Sequence, residues 1–167
     1  MLLDNYLFGN SESGINVGLT NVPQLFDALL PDNLAIPYHI TIISEHHDNS
    51  TDWQKNIETE IRNRITQLRE YEIIVEVLFQ KHEDYHKRLL ITNYTNSSCD
   101  KGYSMFRVAC GKTVRAKNDL RINTAFNNIQ QLLGDTEYKS MHNTINLIKK
   151  INGNDKVWEN RLFNNVD

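Results

Sequence analysis

The chain has 167 residues, 40% hydrophobic and 23% charged, with 7 Gly, 3 Pro and 2 Cys, a composition that excludes disordered, collagenous and disulfide-scaffold proteins. Its 18 Lys+Arg against 21 Asp+Glu leave a net charge of −3, which argues against coating nucleic acid through bulk charge and leaves only a local basic patch for that purpose. No apolar run reaches the ~20 residues of a membrane span, and Cys99 and Cys110 form no CxxC pair, so the expectation is one α/β domain over residues 1–167 in the reducing cytoplasm, either a small protein or the carboxy-terminal part of a longer one.

Leu2-Leu3-Asp4-Asn5-Tyr6-Leu7-Phe8 is apolar and aromatic and runs into a polar stretch between Gly9 and Gly14, which predicts a buried strand ending in a loop. Thr20 or Asn21 is suited to cap a helix with Pro23 in its first turn and Val22, Leu25, Phe26, Leu29 and Leu30 on its apolar face. The β-branched stretch from Ile36 to Ser44 predicts a second strand. Trp53, Ile57, Ile61, Ile65 and Leu68 then recur at helical spacing, in a helix opened by Asp52 and running to Tyr71.

Ile73 to Phe79, Arg88 to Tyr94 and Met105 to Cys110 read as third, fourth and fifth strands, and helical spacing follows over Thr124 to Leu133 and Thr136 to Ile151. Strand alternating with helix implies right-handed crossovers, hence an α/β fold with a mixed, mostly parallel sheet and helices on both faces. The third and fourth strands are joined too closely for a crossover, so they are expected to pair as an antiparallel hairpin.

His86 and Arg88 stand two residues apart at the start of the fourth strand, where alternation places both side chains on one face. An imidazole beside a guanidinium suits a phosphate ester: Arg offers a planar fork of donors, and His acts as nucleophile or acid. The competing structural account pairs Arg88 with Glu76 across the hairpin.

With Asn93, Gly102 and Ser104, these residues resemble the phospholipase D-like superfamily, whose signature is H-x-K-x-x-x-x-D followed by Gly-Ser or Gly-x-Ser. His86 matches the nucleophile, Arg88 stands where Lys is usual and Asn93 where Asp is usual. The chain is similar to the divergent domains at the carboxy-terminal ends of MIT-domain proteins, in which His-x-Arg replaces the catalytic pair. The resemblance implies a phospholipase D-like half-domain and metal-independent, cofactor-free phosphodiesterase or nuclease chemistry. His86, Arg88 and Asn93 would be the catalytic set and Ser104 a ligand contact, and a homodimer would bring two motifs together. Replacing Lys by Arg changes reach, and Asn93 removes a carboxylate that would support an imidazolium; both departures leave phosphate binding intact. The expected partner is therefore nucleic acid or an anionic phospholipid headgroup, with catalysis the weaker part of the expectation.

Other readings compete. His82-Glu83-Asp84-Tyr85-His86 matches H-E-x-x-H, the zinc metallopeptidase motif, which needs a helix to set both imidazoles on one face. Here it falls between two strands, so no metal site is expected. His46-His47-Asp48 reads as a solvated loop, and Cys99 and Cys110 as a loop thiol and a core residue. Lys112, Arg115, Lys117 and Arg121 form a basic run that is either a solvated rim or a guide for a phosphate backbone, with Lys112 and Arg115 as the candidate ligand contacts. A non-catalytic protein-interaction domain is the remaining alternative.

Overall fold

In the computed structural model the described residues are 1–9, 16–45, 51–81, 87–103, 106–109, 112–115, 119–124, 131–153 and 156–164, with the backbone alone described for 106–109, 112–115 and 131–135. They form β1 (Leu2–Leu3), α1 (Gly18–Leu29), β2 (Tyr38–Glu45), α2 (Thr51–Thr66), β3 (Ile73–Gln80), β4 (Leu89–Ile91), β5 (Thr95–Cys99), β6 (Phe106–Ala109), β7 (Lys112–Arg115), β8 (Leu120–Thr124), α3 (Gln131–Asn152) and α4 (Arg161–Asn164). Six strands make one mixed sheet in the order β3-β2-β1-β4-β5-β8, and β6-β7 is a separate ribbon. The fold is thus α/β, with the parallel part confined to β3-β2-β1. The antiparallel part, β1-β4-β5-β8, is larger than the single hairpin expected from the sequence.

Each face of the sheet carries its own core. Ile57, Ile61 and Ile65 of α2 and Val22 and Phe26 of α1 pack on Leu2, Ile40, Ile42, Ile73, Val75 and Val77. Successive crossovers of one hand, moving in one direction, put both helices on that side. On the other face Met141, Ile145 and Ile148 of α3 and Phe163 of α4 cover Leu3, Ile43, Leu89 and Ile91. Trp158 stacks on Phe163 with ring centroids 4.1 Å apart. No helix among the described residues is long and apolar enough to cross a membrane.

Local chemistry explains where the elements differ from expectation. The first strand stops after Leu3 because the Tyr6 amide donates to the Asp4 carboxylate at 3.0 Å, an Asx-type turn that takes the chain out of the sheet. Helix α1 starts earlier than Thr20 because Asn16 Oδ1 accepts the Gly18 amide at 3.1 Å, which leaves Pro23 inside the helix. Glycine is required at 18, since a Cβ there would stand 1.9 Å from the Leu7 carbonyl oxygen. The Arg69 guanidinium closes the end of α1, donating to the carbonyls of Asp27, Leu30 and Pro31 at 2.6, 3.0 and 3.2 Å.

The expected pairing of the third and fourth strands is corrected: β4 pairs with β1, Leu3 opposite Leu89. Gln80 and Leu89 therefore stand at the same end of the sheet three strand spacings apart, about 14 Å. The expected fourth strand ends early, because the Thr92 hydroxyl accepts the amides of Tyr94 and Thr95 and turns the chain into β5. Leu120–Thr124 is strand β8, ending where a helix was expected to begin, and α3 runs unbroken through Gly134. The expected fifth strand holds for Phe106–Ala109, but in the separate ribbon.

Candidate functional site

The carboxyl ends of β1, β2 and β3 face one edge of the sheet, and α1 and α2 start from the same edge, adding the positive ends of their dipoles. At β1 the chain departs through α1 toward β2, while β4 lies on the other side. β1 is thus the point at which the sheet changes from parallel to antiparallel, and the cavity at this edge lies on its β4 side, among β4, β5 and β8.

Asp4, the residue directly after β1, occupies that point with only 1% of its surface exposed. Its Oδ2 accepts the Tyr103 amide at 2.7 Å and its Oδ1 the Tyr6 amide at 3.0 Å. Arg88 Nε stands 3.7 Å from Oδ1. Burial pushes the Asp4 carboxyl above the usual carboxylate range, opposed by the two amides and by the Arg88 charge. Gly102 is in the left-handed region at φ +90° and lies against the same carboxylate, since a Cβ there would come within 2.4 Å of Oδ2.

Arg88 is held on several sides. Asp4 faces its Nε, Nη1 donates to the Asp100 carbonyl, and Cζ lies 4.8 Å from the centroid of the Tyr6 ring. Neither Nε nor Nη2 forms a hydrogen bond to the described residues, and the side chain keeps 27% exposure. It lines a cavity of about 310 Å³ with Lys87, Asp100, Asp119 and Arg121 among the walls. The Asp119 amide donates to Asp100 Oδ1 at 3.0 Å, which ties that acid into the wall. The postulated Arg88–Glu76 pair is replaced by Arg88–Asp4, and Glu76 pairs instead with Lys156 at 2.7 Å.

Tyr103, whose amide Asp4 holds, is buried in the core on the α1 and α2 side, and its hydroxyl donates to the Ser97 carbonyl at 2.8 Å. Burial pushes its phenol up to about 12. The neutral phenol therefore contributes stability that is fully present below pH ~10 and lost as pH rises toward 12, on the order of 2–3 kcal/mol for two pH units. Between pH 10 and 12, wild type should lose that much more stability than Tyr103→Phe in urea titrations; parallel losses would contradict the assignment. Cys99, expected in a loop, is a buried residue of β5 whose thiol donates to the Gly102 carbonyl at 3.0 Å. Burial raises its pKa, which makes it a poor nucleophile.

Of the residues singled out in the sequence, Arg88 and Gly102 come together here. Asn93 does not: it is exposed on the turn after β4, at the opposite end of that strand from Arg88. Lys112 and Arg115 belong to the β7 backbone of the separate ribbon, and nothing is described of their side chains. Arg121, from the same basic run, does line the Arg88 cavity. His86, Ser104, the zinc-motif residues His82 and Glu83, the loop residues His46, His47 and Asp48, and Lys117 and Cys110 lie outside the described residues. Among the described residues no group of three His, Cys, Asp or Glu side chains is placed to hold a metal. Sequence reading missed Asp4 as a site residue; its one signal is an acid placed directly after a short apolar run.

No family model, curated protein or solved structure matches the chain.

Proposed function

We propose that this domain recognises a phosphate-bearing ligand at the carboxyl edge of its sheet, as a degenerate phospholipase D-like domain would. Arg88 carries this reading: it is a guanidinium oriented by a buried carboxylate and a carbonyl, with Nη2 left over, beside a 310 Å³ cavity that also holds Lys87 and Arg121. Anion recognition by a fixed fork needs that combination of orientation and spare donors. Asp100 and Asp119 in the same wall favour one phosphate group over a long polyanion, in keeping with the net charge of −3. A phospholipid headgroup or a nucleotide end satisfies this chemistry equally. Phosphodiester cleavage with His86 as nucleophile and a second copy supplying the acid is a further step, dependent on that imidazole and on a dimer.

Calorimetric titration with inorganic phosphate, with a 5′-phosphorylated ten-nucleotide single strand and with phosphatidylserine vesicles separates the ligand sources. At least one should bind, and Arg88→Gln should weaken it ten-fold or more, the loss of about 1.5–3 kcal/mol from a charge-assisted contact. The salt dependence should correspond to one or two phosphates. Affinity unchanged in Arg88→Gln, or a salt slope of many phosphates, refutes the proposal.

A further inference from the structure

Strand β1 is two residues long, whereas its neighbour β2 has eight. Their ladder joins Leu2 to Ile42 and Leu3 to Ile43, so Tyr38 to Thr41 have no strand partner on that side among the described residues. On its other flank β2 is paired throughout, from Tyr38 opposite Ile73 to Glu45 opposite Gln80. The Asp4 amide donates to the Ile43 carbonyl, and the Tyr38 amide to the Glu72 carbonyl, both at 3.0 Å. Backbone groups alternate sides along a strand, so those of His39 and Thr41 face the β1 side, as Ile43 does. Past Met1 they face a gap in the sheet.

A cavity of about 440 Å³ occupies that gap. Tyr38, His39 and Ile40 line one side and Leu90 to Tyr94 the other, with Met1 at the end where β1 begins. The walls also include Phe26 from the core on one face of the sheet and Leu162 from the layer on the other, so the opening passes through the sheet rather than lying on a face. β2 and β4 stand two strand spacings apart, about 10 Å, the width that β1 fills between Ile42 and Leu90. A helix, about 10 Å across, cannot enter a gap one strand wide. An extended chain can, and it finds there a ladder that the fold leaves open.

Met1 sets the direction and the end of the occupant. Its amino group donates to the Ile91 carbonyl at 2.7 Å, using one of the three donors of an ammonium, and no carboxylate meets it among the described residues. Burial without a counter-charge pushes its pKa down to about 5. A chain running parallel to β2 would bring a carboxyl end to that group, whereas the reverse direction would set two amino groups together. Charge elsewhere agrees. Arg161 donates to the Pro37 carbonyl at 3.0 Å and has no carboxylate partner among the described residues. His39 Nδ1 is buried without a hydrogen bond to them, and none of their Asp or Glu side chains lines the cavity. Continuing the β1 register, the last residue of the occupant stands opposite Ile40, whose side chain belongs to the core under α1 and α2. The residue before it stands opposite His39, on the face that carries Arg161.

We propose that this slot binds the carboxy-terminal end of a partner protein as an inserted strand parallel to β2, with an apolar last residue, an Asp or Glu before it, and the terminal carboxylate at the Met1 amino group and the Thr41 amide. The inference is independent of the phosphate site, which lies at the opposite edge of the sheet.

The test uses fluorescein-labelled hexapeptides with a free carboxyl end, Glu next to last and Val, Leu or Phe on either side of it, titrated by fluorescence anisotropy. At least one should bind saturably. Amidating its carboxyl end should weaken it about ten-fold or more, and so should methylating the nitrogen of its last residue, which removes the donor to the His39 carbonyl. Changing its Glu to Lys should weaken it as well, and Arg161→Glu, with circular-dichroism melting still cooperative, should restore binding of that peptide. Lengthening the chain by Ser-Val-Glu-Val before Met1 should fill the slot from within and abolish binding, because a tethered segment outcompetes a free one. Failure of every peptide to bind, equal binding of the amidated or N-methylated form, charge reversal that fails to rescue, or binding that survives the extension overturns the inference. So does a wild-type dimer in sedimentation that Arg161→Glu abolishes, because a second copy would then be the occupant.

Discussion

Gly102→Ala is expected to destabilise the fold by about 3–4 kcal/mol. A side chain held near φ +90° costs on the order of 1–2 kcal/mol for an L-residue. The new methyl would also stand 2.4 Å from Asp4 Oδ2, so the carboxylate must leave the Tyr103 amide, losing a charge-assisted bond of about 1.5–3 kcal/mol. Urea titration gives the total, and a double-mutant cycle divides it. In an Asp4→Ala background the clash is gone, and Gly102→Ala should cost only the backbone part, about 1–2 kcal/mol. Full additivity would mean that the approach of Gly102 to Asp4 is not the source of the effect.

Asp4→Ala itself should cost about 3–5 kcal/mol, because it strands a partly buried guanidinium without its counter-charge and the Tyr6 and Tyr103 amides without their acceptor. Its pH dependence decides which force dominates at the carboxylate. Burial raises the folded pKa above the ordinary value of 3.8, so the folded state binds the Asp4 proton more tightly than the unfolded chain does. That stabilising contribution is fully present below pH ~3.8 and disappears as pH rises through the raised folded value. Urea stability of wild type minus that of Asp4→Asn should therefore fall as pH rises across this window and level off above it. A difference that grows with pH would show that the Arg88 charge outweighs desolvation. Arg88 affinity for phosphate should respond in the same window, since a neutral Asp4 no longer competes for the guanidinium.

What the sequence disclosed follows from which forces are local. The apolar period of Ile57, Ile61 and Ile65, the β-branched runs before Glu45 and Gln80, and the helical stripe of Tyr138, Met141, Ile145 and Ile148 are properties of contiguous segments, and all appear as expected except that Tyr138 is exposed rather than in the core. The strands that escaped notice, Thr95–Cys99, Lys112–Arg115 and Leu120–Thr124, are short and mostly polar, so they carry little local signal, and Leu120–Thr124 is held by pairing with the distant Thr95–Cys99. Sheet order was illegible for the same reason. A link of eight residues reads as a hairpin, and nothing between Gln80 and Leu89 reveals that two strands lie between its ends. At the site, Arg88 and Gly102 were visible because they fall near each other in sequence. Asp4 was not, since its partners Arg88 and Tyr103 are distant in sequence and only the closed sheet delivers them.

Within the sheet, the parallel and antiparallel portions meet only through β1, a strand of two residues whose Leu2 pairs with Ile42 on one side and Leu90 on the other. Each portion contains closer-range pairings that form quickly, whereas the seam must wait for widely separated segments to meet, at a loop-closure cost that slows it. Assembly should therefore end there, and partial opening should begin there. The ion pair of Asp4 with Arg88, which spans this seam, would then be the last contact made and the first lost, so the guanidinium that lines the cavity is held in place only once the two portions have joined.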